Sequence, residues 1–66
     1  MKARINGEVR DLPPGTTVAA LLEELGVTQT GIAVAKNDRV VRRSEYDQSA
    51  IADGDSVEII KAVAGG

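Results

Sequence analysis

The sequence contains no cysteine and no histidine, and Tyr46 is its one aromatic residue. Without cysteine, the chain has no disulfide and no thiolate metal site. Without histidine, it also lacks the commonest metal ligand and the commonest acid–base group at neutral pH. We therefore expect no bound metal or cofactor, and no catalytic site of the chain's own.

Long apolar runs and an excess of positive charge are also missing. No segment has the length needed to cross a membrane, and the first residues lack the apolar stretch of a secretion signal. These features predict a soluble, cytoplasmic protein without a membrane partner. The net charge is −2, whereas nucleic-acid-binding domains are normally basic. Because one aromatic side chain offers bases no stacking platform, we expect no nucleic-acid partner.

The first fifteen residues predict a β-hairpin. Apolar and charged residues alternate over residues 1–5, which is typical of a strand with one buried face. Asn6-Gly7 is the strongest short hairpin signal, because a type I′ turn needs positive φ at both central residues. Residues 8–12 then form the return strand, with Val9 as its clearest apolar residue. Pro13-Pro14-Gly15 ends the strand, since proline cannot donate to a sheet ladder.

A short helix is predicted next, from about residue 18 to residue 25. Thr16 or Thr17 offers an N-cap, and Gly26 stands where a left-handed residue would end the helix. The apolar residues follow the spacing of a single helical stripe: Val18, Leu21, Leu22 and Leu25. A helix this short is not stable alone, so we expect it to lie on a sheet.

The second half of the chain returns to strands. Residues 32–36 and 39–41 are predicted to pair across a turn at Asn37-Asp38, and residues 56–61 form the final strand. The polar stretch between them is predicted to be irregular and anchored in the core by Tyr46 and Ile51. In a compact domain, a right-handed crossover favours a final strand that enters the sheet centrally, parallel to the first.

This order of elements predicts an α+β fold of the β-grasp, ubiquitin-like type. We expect a mixed sheet of four to five strands covered by one main helix. The globular domain would span residues 1–61, and residues 62–66 would form a flexible tail that ends in the diglycine.

The tail carries the chemistry that the rest of the sequence lacks. Two consecutive glycines form a thin tether that can pass through a narrow channel. A carboxylate is a poor electrophile until it is activated, for example by ATP, so the Gly66 carboxylate would be a substrate for another protein. Chain ends are also commonly disordered whatever their function.

Six stretches, in order along the chain, match one family of small proteins. They are Ile5-Asn6-Gly7-Glu8, residues 18–25, Ala33-Val34-Ala35-Lys36-Asn37, Val40-Val41-Arg42-Arg43-Ser44-Glu45-Tyr46, Asp53-Gly54-Asp55-Ser56-Val57-Glu58-Ile59 and Ala64-Gly65-Gly66. With them, nearly the whole chain resembles the sulfur carriers of the ubiquitin-like superfamily, most closely the ThiS family of thiamine biosynthesis. Many members carry proline at the position of Arg42, a departure that concerns only the local loop.

The resemblance implies a role as a sulfur carrier. An E1-like adenylating enzyme of the ThiF type would use MgATP to convert the Gly66 carboxylate to an acyl-adenylate. A persulfide from a cysteine desulfurase pathway would then leave a thiocarboxylate on Gly66, and a thiazole synthase of the ThiG type would take up the sulfur. Gly65 would provide clearance, while Ala64 and Val63 would guide the tail.

Other functions stay open at this point. The small sulfur-carrier subunit of molybdopterin synthase has the same fold and tail chemistry, but its approach to the diglycine tends to be rich in proline and aromatic residues, unlike residues 60–64. A ubiquitin-like modifier would form isopeptide bonds through Gly66. A non-catalytic β-grasp binding module, such as an RNA-binding appendage, would need no tail chemistry.

Two surface features have both a functional and an ordinary interpretation. Ile60 lies opposite Ile59 on the last strand and is a candidate for docking a partner, although isolated exposed apolar residues are common. Arg39, Arg42 and Arg43 could meet an acidic patch or a phosphate group. They could equally form a solvated loop surface, so their role stays open.

Overall fold

The computed structural model describes residues 1–61, and residues 62–66 lie outside the described part of the chain. The described residues form five β-strands, one α-helix and a short 3₁₀ turn. Their bounds are β1 Lys2–Ile5, β2 Glu8–Asp11, α1 Val18–Glu24, β3 Ile32–Lys36, β4 Arg39–Val41, the 3₁₀ turn Arg43–Glu45 and β5 Ser56–Lys61.

The strands form a single mixed sheet in the order β2-β1-β5-β3-β4. β5, the last strand in sequence, lies at the centre, parallel to β1 on one side and antiparallel to β3 on the other. The outer pairs, β1 with β2 and β3 with β4, are antiparallel hairpins. This arrangement confirms the predicted β-grasp fold and the central place of the final strand.

Both hairpins turn at the predicted residues, and the positive φ predicted for Asn6-Gly7 is also found at Asn37-Asp38. Asn6 and Gly7 have φ of 50° and 84°, while Asn37 and Asp38 have φ of 51° and 66°. Asparagine tolerates this left-handed region better than most residues because its short side chain bonds locally. The two turns therefore differ mainly at their second position, where one has glycine and the other has aspartate.

The helix begins as its sequence predicts. Thr17 is the N-cap, and its Oγ1 accepts a hydrogen bond of 3.1 Å from the Ala20 N–H. The bridge between Thr17 and Ala50, together with the bond from the Val18 N–H to the Ser49 carbonyl (2.9 Å), joins this end to the segment before β5. The first turn of α1 is therefore fixed by a local cap and by distant backbone.

The helix ends one residue earlier than predicted, at Glu24, and Leu25 is its C-cap. Gly26 follows with φ of 71°. The Val27 N–H donates to the Leu22 carbonyl at 2.9 Å, and the Gly26 N–H donates to the Glu23 carbonyl at 3.1 Å. This pair of bonds is the Schellman motif, which satisfies the last carbonyls of the helix.

The helix covers one face of the sheet, which we call the covered face. The buried apolar residues gather there and under the 43–52 segment: Ala3, Ile5, Leu12, Val18, Leu21, Leu22, Val34, Val41, Tyr46, Ile51 and Val57. Within residues 1–61 the other face, the open face, has no helix over it. The exposed large apolar residues Val9, Val40 and Ile60 lie on it.

The segment between β4 and β5 is more ordered than its polar sequence predicts. It begins with the 3₁₀ turn, and Tyr46 and Ile51 are buried as predicted. Arg42, just before the turn, has φ −74° and ψ 146°, a conformation that proline also adopts. Its N–H donates to Glu45 Oε1 at 3.2 Å, a bond that proline could not make. Arginine therefore fits this loop without strain.

Candidate functional site

β5 leads from the centre of the sheet directly to the segment that the sequence predicts to be reactive. Its residues alternate between the two faces, with Val57 fully buried on the covered face and Ile60 57% exposed on the open face. The predicted site residues Val63, Ala64, Gly65 and Gly66 lie outside the described residues, so their roles stay predictions. Ile60 is the one predicted site residue that the structure describes.

Ile60 belongs to an apolar strip that crosses three strands. Ala33 on β3 lies directly opposite Ile60, and Ala35, two residues further along β3, lies opposite Val40 on β4. Val40 is 79% exposed. We call these four residues the open-face patch. The strip places exposed apolar surface one residue before Lys61, after which the predicted tail begins.

The start of β5 is held by a set of polar bonds around Asp55. Asp55 Oδ2 accepts from the Ala52 N–H at 2.8 Å, and Asp55 Oδ1 accepts from Asn37 Nδ2 at 2.9 Å. These bonds, that from Ala52 first, stabilise the charged carboxylate and lower the pKa of Asp55, and the positive charge of Lys36 adds to the effect. Asn37 Oδ1 also accepts from the Ser56 N–H at 2.9 Å.

The far end of β5 is held by the other hairpin turn. The Ile59 N–H donates to Asn6 Oδ1 at 2.8 Å, and the Asn6 N–H donates to the Val57 carbonyl at 2.9 Å. From the sequence, Asn6 is predicted only to be a turn residue. No local signal predicts its bond to Ile59, because the two residues are 53 positions apart.

The three arginines of the basic cluster are exposed. Arg39 begins β4, Arg42 precedes the 3₁₀ turn, and Arg43 is its first residue. The structure places them at the edge of the sheet, and their role stays open.

Residues 1–61 include no group of three or more acidic side chains placed to hold a metal ion. No helix in that range is long and apolar enough to cross a membrane.

Two similar proteins match this chain from end to end. The chain is 35% identical to the sulfur carrier protein ThiS of Escherichia coli over 66 residues, covering all of both chains. The crystal structure of the thiamine biosynthesis protein ThiS from Geobacter metallireducens matches with a TM-score of 0.85 at 30% identity, again over all of both chains. The fold and these relatives define a β-grasp protein of the class that includes the sulfur carriers.

The model of the ThiS family matches residues 3–66. The chain belongs to the ThiS family. The matched range includes residues 62–66, which contain the predicted reactive group.

A further match is to part of a longer protein. The chain is 47% identical over 66 residues to the thiazole synthase of Paramagnetospirillum magneticum, and the match covers all of this chain. The chain spans a fifth of the length of that protein and of the thiazole synthase of Magnetococcus marinus. In both relatives, a segment similar to this chain is therefore part of a much longer polypeptide.

Proposed function

We propose that this chain is a sulfur carrier whose Gly66 carboxylate becomes a thiocarboxylate and supplies sulfur for thiazole formation in thiamine biosynthesis. The observation that carries the proposal is the match to the Escherichia coli sulfur carrier over the whole of both chains. The chain itself acts as a protein co-substrate, and the catalytic groups belong to its partners. The chain and the enzymes that activate it and use its sulfur act in the cytoplasm.

The proposed sulfur transfer to Gly66 has three steps. A carboxylate oxygen of Gly66 attacks the α-phosphorus of ATP, and pyrophosphate leaves. A persulfide sulfur then attacks the acyl carbon, AMP leaves, and an acyl disulfide forms. A thiol then attacks the donor's sulfur in the sulfur–sulfur bond, so that the thiol and the donor become a disulfide and the thiocarboxylate leaves. The ATP and Mg²⁺ are used by an E1-like enzyme of the ThiF type, and a cysteine desulfurase pathway supplies the persulfide.

The geometry of β5 supports this use of the chain. Residues 62–66 can extend about 16 Å at about 3.3 Å per residue, so the carboxylate reaches a buried site while the globular domain stays outside. Gly65 provides clearance in a narrow channel, and Ala64 and Val63 guide the tail. The open-face patch around Ile60 lies where a partner that takes up the tail would meet the sheet.

The relatives that are named thiazole synthase favour thiazole formation over molybdopterin synthesis as the destination of the sulfur. Each contains a segment similar to this chain. A carrier joined to the enzyme that it supplies could act within a single polypeptide. This arrangement supports a thiazole synthase of the ThiG type as the acceptor of the sulfur.

The proposal is tested by following the intact mass of the chain. Incubation with a ThiF-type enzyme, MgATP, a persulfide donor and a thiol should give the mass increase of oxygen-for-sulfur exchange at Gly66. The matched control is the chain without Gly65 and Gly66, which should fold but stay unchanged. A full-length chain that gains no sulfur, or a control that gains it equally, contradicts the proposal.

The acceptor is tested separately with the thiocarboxylate form of the chain. We expect sulfur to be lost to a ThiG-type thiazole synthase and not to the large subunit of molybdopterin synthase. The reverse preference would assign the chain to molybdopterin synthesis.

A further inference from the structure

Asn6 forms a hydrogen bond with β5 just beyond the point where the pairing of β1 with β5 ends. The parallel pairing of the two strands ends at Ile5 opposite Val57, because the chain reverses at Asn6-Gly7. Yet the Ile59 N–H, two residues further along β5, still has a partner in Asn6 Oδ1 at 2.8 Å. The Asn6 side chain therefore extends the hydrogen bonding along the β1 side of β5 by one bond beyond the end of β1.

The side-chain oxygen stands in for a backbone carbonyl. In a parallel pair the hydrogen bonds are evenly spaced along the strands, and here the Arg4 N–H donates to the Asp55 carbonyl and the Asn6 N–H to the Val57 carbonyl. A ladder that continued would bond the Ile59 N–H to a main-chain oxygen of β1. With β1 turned away, Asn6 Oδ1 makes that bond instead.

This bond bears on the direction in which β5 leaves the sheet. On its other side, β5 is paired with β3 as far as Ile32 opposite Lys61. Within residues 1–61, Asn6 is the β1-side anchor nearest to the predicted tail. Without this bond, the hydrogen bonds along the β1 side of β5 would stop at Val57, while the bonds to β3 would continue to its end.

We propose that Asn6 is a positioning residue, which fixes the direction in which the chain runs from Ile59 toward the diglycine. This inference rests on the proposed function, since it concerns how the Gly66 carboxylate is presented to the activating enzyme. The ordinary explanation is that asparagine is present only because φ at position 6 is 50°. Glycine would satisfy that requirement equally well.

The second hairpin provides a matched control. Asn37 also has positive φ, and its Oδ1 also accepts a β5 N–H, that of Ser56. It lies at the end of β5 that is remote from the tail and makes an additional bond to Asp55. Asn37→Gly therefore removes at least as many bonds as Asn6→Gly while leaving the tail end of β5 untouched.

The first measurement is amide hydrogen exchange in the whole chain. Asn6→Gly should speed exchange of the Ile59 amide about tenfold relative to the rest of β5, as expected for the loss of one hydrogen bond. Asn6→Asp keeps an acceptor oxygen and should retain the protection. Unchanged Ile59 exchange in Asn6→Gly, or equal loss in Asn6→Asp, contradicts the inference.

The second measurement is ATP–pyrophosphate exchange with the ThiF-type enzyme, with the chain as the varied substrate. Because the open-face patch is unaltered, Asn6→Gly should lower kcat about tenfold through misplacement of the carboxylate, with KM near that of the unaltered chain. Asn6→Asp should restore kcat, and Asn37→Gly should leave it unchanged. Simple destabilisation would instead reduce the folded fraction, which raises the apparent KM and leaves kcat at saturation intact.

The outcomes separate the two proposals. An unaltered chain that supports no exchange contradicts the proposed function, and the amide measurement then still decides whether Asn6 holds Ile59. An active unaltered chain with equal kcat in Asn6→Gly and Asn37→Gly overturns the positioning role. Asparagine at position 6 would then serve the turn alone.

Discussion

The covered and open faces of the sheet differ most clearly along a single strand. On β5, Val57 is fully buried under the helix side of the domain, whereas Ile60, three residues later, is 57% exposed on the other side. The exposed Val9 and Val40 also lie on the open face. The strand that holds the core together is therefore also the strand that presents apolar surface next to the predicted tail.

The difference separates the residues that stabilise the fold from those that are exposed and predicted to bind a partner. Full burial of a valine, leucine or isoleucine side chain contributes about 1.5–3 kcal/mol, and this contribution comes from the covered face. The exposed apolar residues of the open face contribute little to folding, which leaves them available for the docking role predicted for Ile60. Substitutions on the two faces should consequently change different measurements.

The largest effect on folding is expected at Leu22, a fully buried residue of α1. Leu22→Ala should lower the free energy of unfolding by about 2–5 kcal/mol, since it removes apolar contacts and leaves a cavity. Denaturant melts measure the change.

Glu23, the exposed neighbour of Leu22 on α1, is the matched control. Glu23→Ala should change the free energy of unfolding by less than about 0.5 kcal/mol. Equal losses at the two positions would show that the helix does not secure the covered face in the way described.

A smaller effect is expected where polar bonds hold the start of β5. Asp55→Asn should lower the free energy of unfolding by about 1 kcal/mol at neutral pH, because the amide cannot accept both bonds as the carboxylate does. The pKa of Asp55 is lowered by folding from its usual value of 3.8. Its contribution to stability is therefore complete above that value and is lost as the pH falls through the lower folded-state pKa.

Melts over a range of pH test this assignment. The unaltered chain should lose stability more steeply than Asp55→Asn as the pH falls below about 4, since only the former has this carboxylate to protonate. Parallel curves for the two proteins would show that Asp55 does not contribute through its charge.

A substitution on the open face should change the KM for activation and leave the free energy of unfolding almost unaltered. Ile60→Ser should alter the free energy of unfolding by less than about 0.5 kcal/mol. Loss of its apolar contact should raise KM for activation by the ThiF-type enzyme about tenfold. Kinetics and melts of the same preparation provide both values.

Val9→Ser is the matched control, because Val9 is equally exposed at 60% but lies on β2, outside the open-face patch. It should leave KM unchanged. A similar rise in KM for both variants would indicate that general surface polarity, and not the open-face patch, governs the encounter.

The smallest effect on folding is expected in the predicted tail, which belongs to neither face. Gly65→Val should leave the thermal melt unchanged, yet it should strongly reduce thiocarboxylate formation, because a β-branched side chain adds width and restricts the backbone. Intact mass measured over time tests the second part. Sulfur gain at the original rate would show that the diglycine does not serve passage through a narrow channel.

Much of the fold can be predicted because its signals are local. The two turns at Asn6-Gly7 and Asn37-Asp38, the buried stripe through Leu21 and Leu22, and the helix stop at Gly26 each depend on a few neighbouring residues. The exposure of Ile60 follows from the two-residue period of a strand. The structure confirms all of these features.

Other features depend on partners that are distant in sequence and so have no local signal. The bridge from Thr17 to Ala50 and the bond from Ile59 to Asn6 join segments that only the folded chain brings together. The polar stretch that contains the 3₁₀ turn is anchored by Tyr46 and Ile51, which are buried in the same core as the helix residues. In the candidate site, the role of Gly66 rests on family resemblance and not on periodicity.

The central place of β5 also affects when the protein folds. β5 is the only strand that pairs with both hairpins in the described sheet, and its bond from Ile59 to Asn6 closes a span of 53 residues. Pairings between residues so far apart form slowly, because the entropy cost of closing the long loop comes before the contacts can stabilise it. During synthesis, the two hairpins remain unjoined until β5 emerges from the ribosome. A chain that lacks this strand cannot join the two hairpins, so β5 controls whether the five-stranded sheet forms at all.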